Sequence, residues 1–148
     1  MGKYIISTFY LSHPFPSRRW VKAWSEEIQE KYYVKFINPF YDSSSPEDMT
    51  MIDKGLKDQY EDRGYKYKQI VNNDKRLLVM ADAVIVFATP HITWGTPMEM
   101  LLAYQNHIPT FTVADPPLDQ HPWIKYHSTH IWPQPQELEA YLYHIGYI

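Results

Sequence analysis

Two carboxylates, Glu99 and Asp74, sit at positions where a charge has chemical consequences. Glu99 follows a continuous apolar run, Val84-Ile85-Val86-Phe87, and lies in the segment Gly95-Thr96-Pro97-Met98-Glu99. The run predicts a buried strand over 83–88, covered on both faces. A loop over 89–95 then leads into a helix with Thr96 as cap, Pro97 at its first position and Glu99 three residues after the cap, a capping box. Glu99 would thus stand at the carboxyl end of a central strand and the positive end of a helix dipole, where open α/β sheets bind ligands. It either closes the capping box and no more, or faces a ligand. Asp74 falls on a helical apolar stripe with Ile70, Leu77 and Leu78. It is either turned outward by a rotated stripe or looks into a polar pocket, since a carboxylate on an apolar face costs free energy unless partnered.

Other reactive constellations are weaker. Arg18 and Arg19 occupy the opening turn of a helix expected from Ser17 to about Lys31, against the dipole, so they are either solvated or aimed at an anion. His121, His127 and His130 fit no standard ligand spacing, and the chain has no cysteine, so no metal is expected. Ser43, Ser44 and Ser45 lack the G-x-S-x-G context of a hydrolase nucleophile. There is no G-x-G-x-x-G after the first strand and no G-x-x-x-x-G-K-[ST] anywhere, which weakens dinucleotide and P-loop readings.

The elements that would position these residues alternate. Strands are predicted at Tyr4–Thr8, Tyr33–Asn38, 83–88, Pro109–Val113 and Thr129–Trp132. Phe9 to Pro16 reads as a loop after the first of them. Helices are predicted from Ser17, from about Ile70 to Ala81, after Thr96, and from Gln136 to about His144. The acidic, tyrosine-rich section from Glu47 to Tyr67 reads either as helix or as a flap over a site. The alternation points to a flavodoxin-like or Rossmann-like three-layer α/β sandwich around a parallel five-stranded sheet. A length of 148 residues suits one domain over 1–148. The net charge of −3 argues against a nucleic-acid polymer as partner. No apolar run reaches membrane-span length and no signal-peptide pattern is visible, so a cytoplasmic protein is expected. Thirteen tyrosines and five tryptophans suit ordinary packing, a stacked base or a subunit interface. The aromatic tail, Tyr141 to Ile148, is expected to dock on its own core or on another subunit.

The first strand with its polar exit, Asn72-Asn73-Asp74 before Leu77, Ala81-Asp82 before the third strand, and the G-x-x-M-E segment from Gly95 to Glu99 together resemble the nucleoside 2-deoxyribosyltransferase superfamily. That superfamily also includes the 2'-deoxynucleoside 5'-monophosphate N-glycosidases. The resemblance covers nearly the whole chain in element order, while its specific motifs are short. It implies that Glu99 is a nucleophile forming a covalent deoxyribosyl intermediate. This suits an oxocarbenium-like transition state faced by a carboxylate that the helix terminus keeps ionised. It implies that Asp74 borders base and sugar and helps a proton reach the departing base. Ser7, Thr8, Phe9 and Tyr10 match the loop that holds sugar and base, and Gly95 and Met98 accompany the nucleophile.

Six residues before the nucleophile, transferases carry an aspartate for the sugar 5'-hydroxyl; here the residue is Thr93. A hydroxyl there suits a phosphate, with Arg18 or Arg19, and Ser128 or Thr129 from a neighbouring subunit, completing the pocket. Nucleosides and nucleoside 5'-monophosphates are both open as substrates, as are transfer and hydrolysis. The resemblance implies no cofactor and a homodimer or larger homo-oligomer. A non-catalytic nucleotide-binding or sensing module is the alternative of another class.

Overall fold

Residues 7–12 hold three successive large side chains, Phe9, Tyr10 and Leu11, between hydroxyl residues. In the computed structural model, which describes residues 7–55, 67–91 and 93–148, they form strand β1 (Ser7–Ser12). Phe9 and Leu11 enter one apolar cluster, and Tyr10 enters the other. The expected strand Tyr4–Thr8 is corrected accordingly. Its first three residues lie outside the described ones, and Phe9 to Ser12, read as loop, belong to the strand. The hydroxyls of Tyr10 and Ser12 resemble loop signals in sequence, yet both residues are fully buried.

After a 3₁₀ turn at Phe15–Ser17 come α1 (Arg18–Lys31), β2 (Val34–Ile37), the single turn α2 (Thr50–Asp53) and α3 (Tyr67–Val79). Then follow β3 (Ala83–Ala88), α4 (Gly95–Gln105), β4 (Thr110–Ala114), a second 3₁₀ turn at Leu118–Gln120, α5 (Pro122–His127), β5 (His130–Trp132) and α6 (Pro135–His144). The 3₁₀ turns and α5 were not expected from sequence. Of the expected helix or flap over 47–67, residues 50–53 are helical and residues 56–66 lie outside the described ones.

Among the described residues the strands form one parallel sheet in the order β2-β1-β3-β4-β5. The order reverses between β1 and β3, and the crevice at the carboxyl ends of those two strands is where such a sheet binds ligands. One face of the sheet packs on α1 and α6 through Phe9, Val21, Ile28, Ile85, Phe87, Leu138 and Leu142. The other packs on α3 and α4 through Tyr10, Leu77, Leu78, Val84, Val86, Met100 and Ala103. The result is a three-layer α/β sandwich. At the amino edge, the Thr8 amide donates to Asp82 Oδ2 at 2.7 Å, and the Asp82 amide donates to the Thr8 carbonyl at 2.8 Å. This reciprocal pair sets the offset of β1 against β3.

The aromatic tail docks on its own core. Gly146 adopts φ 83°, the left-handed conformation that glycine takes without steric penalty. The Tyr147 amide then reaches back to the Leu142 carbonyl at 2.9 Å and the Gly146 amide to that of Tyr143 at 3.2 Å, which is a Schellman ending. The turn carries the Tyr147 ring to within 5.8 Å of Phe9 and 5.6 Å of Phe111, centroid to centroid.

Candidate active site

Side chains two residues apart on a strand share a face. Tyr10 and Ser12 therefore both turn toward α4, and both hydroxyls donate to one carboxylate. The Tyr10 hydroxyl binds Glu99 Oε2 in a short hydrogen bond, and the Ser12 hydroxyl binds Oε1 at 3.0 Å. The carboxyl group thus stands at the carboxyl end of β1, beside the switch point. A Cβ on Gly95 would lie 3.8 Å from Glu99 Oε1, an ordinary contact, so Gly95 flanks the carboxyl without being required there by space.

Two parts of the sequence reading are corrected here. The helix begins at Gly95, one residue before the expected cap, with Trp94 at the N-cap and no side-chain capping bond. Thr96 is buried, its hydroxyl without a partner among the described residues. The expected capping box is therefore absent, because Glu99 is drawn across to two hydroxyls on β1. Nor does the helix terminus keep Glu99 ionised. Burial raises its carboxyl from an ordinary 4.5 to about 8. The Tyr10 and Ser12 hydrogen bonds favour the charged form and oppose this, while the charge of Asp74 adds to it. The Tyr10 phenol is in turn held well above its usual range by its own burial and by the charges of Glu99 and Asp74.

Asp74 is half-buried on α3. Its carboxyl is raised by burial, lowered by a hydrogen bond with Glu47, and raised by the charge of Asp42. Its Oδ1 is buried without a hydrogen-bond partner among the described residues. Glu47, buried in the loop after β2, was not singled out in sequence. Its backbone amide rests on the Ser45 hydroxyl at 3.3 Å, and the Ser45 amide on the Asp42 carbonyl at 2.9 Å. Nothing in the local pattern marks such a turn as facing Asp74. Ser12 was also missed, although the period of two from Tyr10 would have found it once the strand was extended. His13, buried behind Ser12, holds Asn38 Oδ1 at 3.1 Å and the Pro14 carbonyl at 3.2 Å.

The remaining expected site residues are dispersed. Ser7 and Thr8 lie at the amino end of β1, roughly 13 Å or more up the strand from Ser12 at 3.3 Å per residue. Phe9 points into the α1/α6 core, against Phe36 and Tyr147. Arg18 is bound to Asp53, Nη2 to Oδ1 at 3.0 Å and Nε to Oδ2 at 3.2 Å, and its guanidinium lies 3.9 Å over the Phe15 ring. Asp53 also accepts from Tyr41 at 2.5 Å, and from Arg19, whose side chain is 71% exposed, at 3.4 Å. Burial pushes the Asp53 carboxyl up, but the bonds from Arg18 and Tyr41 and the two arginine charges bring it below its usual range. The arginines thus meet a protein carboxylate at the helix start.

Thr93 is half-buried and Met98 is 63% exposed; both border a cavity beside the first turn of α4. Ser128 shares a 2.6 Å hydroxyl contact with Thr112, and Thr129 Oγ1 accepts from the Thr110 amide at 2.9 Å. Thr110 opens β4, so Thr129 lies at the end of the sheet opposite Glu99. Within one chain Ser128 and Thr129 do not meet the carboxyl. His121 accepts from the Trp123 amide at the start of α5, His127 stacks on Trp123, and His130 packs on Tyr141. Among the described residues no cluster of three potential ligands is placed to hold a metal, and no helix is long and apolar enough to cross a membrane.

No family profile matches the chain, and no curated protein matches it. Solved structures do. A conserved protein from Enterococcus faecalis V583 is similar over 90% of this chain and 95% of its own, at 14% identity and a TM-score of 0.63. A 2-deoxyribosyltransferase from Bacillus psychrosaccharolyticus is similar over 90% of both chains, also at 14% identity and a TM-score of 0.63. The chain thus shares the fold of these two structures.

Proposed function

We propose that the protein cleaves the N-glycosidic bond of 2'-deoxynucleosides through a covalent deoxyribosyl intermediate on Glu99. The observation that carries this reading is one carboxyl group held by the Tyr10 and Ser12 hydroxyls at the β1/β3 switch point, within the field of a second carboxyl, Asp74. Two oriented donors fix the attacking oxygens, and an oxocarbenium-like transition state gains from a carboxylate against one face of the sugar.

Protonation follows from the geometry. Burial raises Glu99 to about 8, with the charge of Asp74 adding to it, so near neutral pH Glu99 holds a proton in the free protein. The reaction needs Glu99 charged to attack the anomeric carbon and Asp74, itself raised by burial, protonated to supply the departing base. Passage of the Glu99 proton toward Asp74 as substrate excludes water would make the nucleophile and the acid in one event. The anomeric carbon then bonds to a Glu99 oxygen while the C–N bond breaks and the base leaves with the proton from Asp74. Attack by a second base completes transfer; attack by water completes hydrolysis.

The engagement of Arg18 by Asp53 favours nucleosides over 5'-monophosphates, since the cation expected at the phosphate already has a partner. The test is incubation of the protein with a 2'-deoxynucleoside, with and without a second base, and with the monophosphate. Base exchange identifies a transferase and free base a hydrolase. Tight binding of each with no turnover of any would mean a nucleotide-binding module instead.

A further inference from the structure

The cavity beside the first turn of α4 has a volume of about 520 Å³ and apolar walls that include Phe87, Met100, Leu101 and Ile124. Pro14, two residues beyond Ser12, and Thr96, three before Glu99, belong to the same lining, so the cavity borders the segments that carry the carboxyl and its donors. Thr96 is only 4% exposed, and its hydroxyl has no hydrogen-bond partner among the described residues. Among the described residues of the lining there is no lysine or arginine, and two of its histidines, His121 and His127, are engaged through Nδ1 with the backbone of α5.

The position of the cavity in the sheet says which part of a substrate it would meet. Asp74 and Glu47 belong to α3 and the loop after β2, on the β2 side of Glu99. The cavity belongs to the loop after β3 and to α5, on the β4 side. A base directed at Asp74 leaves the far end of the sugar, with its 5' carbon, directed at Thr93 and the cavity. A hydroxyl fills little of that space, and among the described residues of the lining an anion would find no lysine or arginine. The volume lies within the range of small-molecule pockets.

We propose that this cavity is a subsite for an uncharged, apolar group on the 5' carbon, and that 5'-alkylthio nucleosides are a substrate class of the site. The inference rests on the glycosidic reading above. Burying each methylene of such a group in apolar surroundings stabilises the complex.

The experiment compares kcat/KM for 2'-deoxyadenosine, its 5'-monophosphate and its 5'-butylthio-5'-deoxy analogue, with binding to Glu99→Gln measured by calorimetry. The expected order is thioether above hydroxyl by at least about tenfold, with the monophosphate last. Ile124→Trp, which fills the cavity, should reduce the thioether-to-hydroxyl ratio to within about threefold of one. Leu118→Trp, on the half-buried 3₁₀ turn that also lines the cavity, serves the same purpose if the first variant fails to fold. A thioether no better than the hydroxyl compound overturns the subsite while leaving the glycosidic reading intact. So does a ratio that survives both fillings. Failure of all three compounds to bind or react overturns the reading itself and the subsite with it.

Discussion

The Ser12 hydroxyl lies 3.0 Å from Glu99 Oε1 while the Tyr10 hydroxyl holds Oε2, so both oxygens of one carboxyl are oriented by neighbours on the same face of a single strand. The arrangement joins the start of α4 to the end of β1 and depends on strand period alone. Its consequences can be measured.

Replacing Glu99 by Gln should abolish turnover and change how stability depends on pH. A carboxyl whose folded pKa is about 8 against an ordinary 4.5 is bound to its proton more tightly in the folded state than in the unfolded one. Its contribution is fully present below about 4.5 and is lost as pH rises through about 8. The wild-type protein should therefore lose stability relative to Glu99→Gln across that window, by an amount on the order of a few kcal/mol. Denaturant midpoints of both proteins at pH 5 and pH 9 check this. Parallel curves would mean that Glu99 is not held neutral by burial.

Asp74→Asn should slow base departure much more than it weakens binding, because the shape remains and the proton source is lost. It also removes a negative charge that raises Glu99. The pH at which Glu99 ionises, followed by the carboxyl NMR shift in the free protein, should fall. An unmoved value would separate Asp74 from the site.

Tyr10→Phe and Ser12→Ala each delete a donor that favours the charged form of Glu99, so each should raise the Glu99 pKa and lower kcat more than it raises KM. Tyr10→Phe should also cost about 1–3 kcal/mol, because it leaves a partly buried carboxyl oxygen without its donor. Unfolding curves and the pH profile of kcat/KM test the pair. A loss of stability with an unchanged profile would assign the hydroxyls to the fold alone.

The parts of this site that were legible in sequence are those where one local rule suffices. The run from Val84 to Phe87 could only be a doubly covered strand, and the stripe through Ile70, Leu77 and Leu78 placed Asp74 on a helix next to it. Misreading arose where a local signal competed with a distant partner. Thr96, Pro97 and Glu99 spell a capping box, but the Tyr10 and Ser12 hydroxyls, some ninety residues away, hold Glu99 more strongly than its own helix start does. Tyr10 and Ser12 look like a polar exit because their burial is visible only with the sheet assembled. Arg18 and Arg19 oppose the helix dipole, which left them either solvated or aimed at an anion. They meet the anion Asp53, at the end of α2, whose return to α1 has no marker in the pattern. The Asp74–Glu47 contact was illegible for the same reason.

The covalent role of Glu99 is the central claim, and its most direct measurement is mass spectrometry of the protein quenched during reaction with a 2'-deoxynucleoside. The account expects a gain of one deoxyribosyl group, located on the peptide containing Glu99 and absent in Glu99→Gln. Turnover of the nucleoside with no adduct at any quench time, and undiminished in Glu99→Gln, would contradict it.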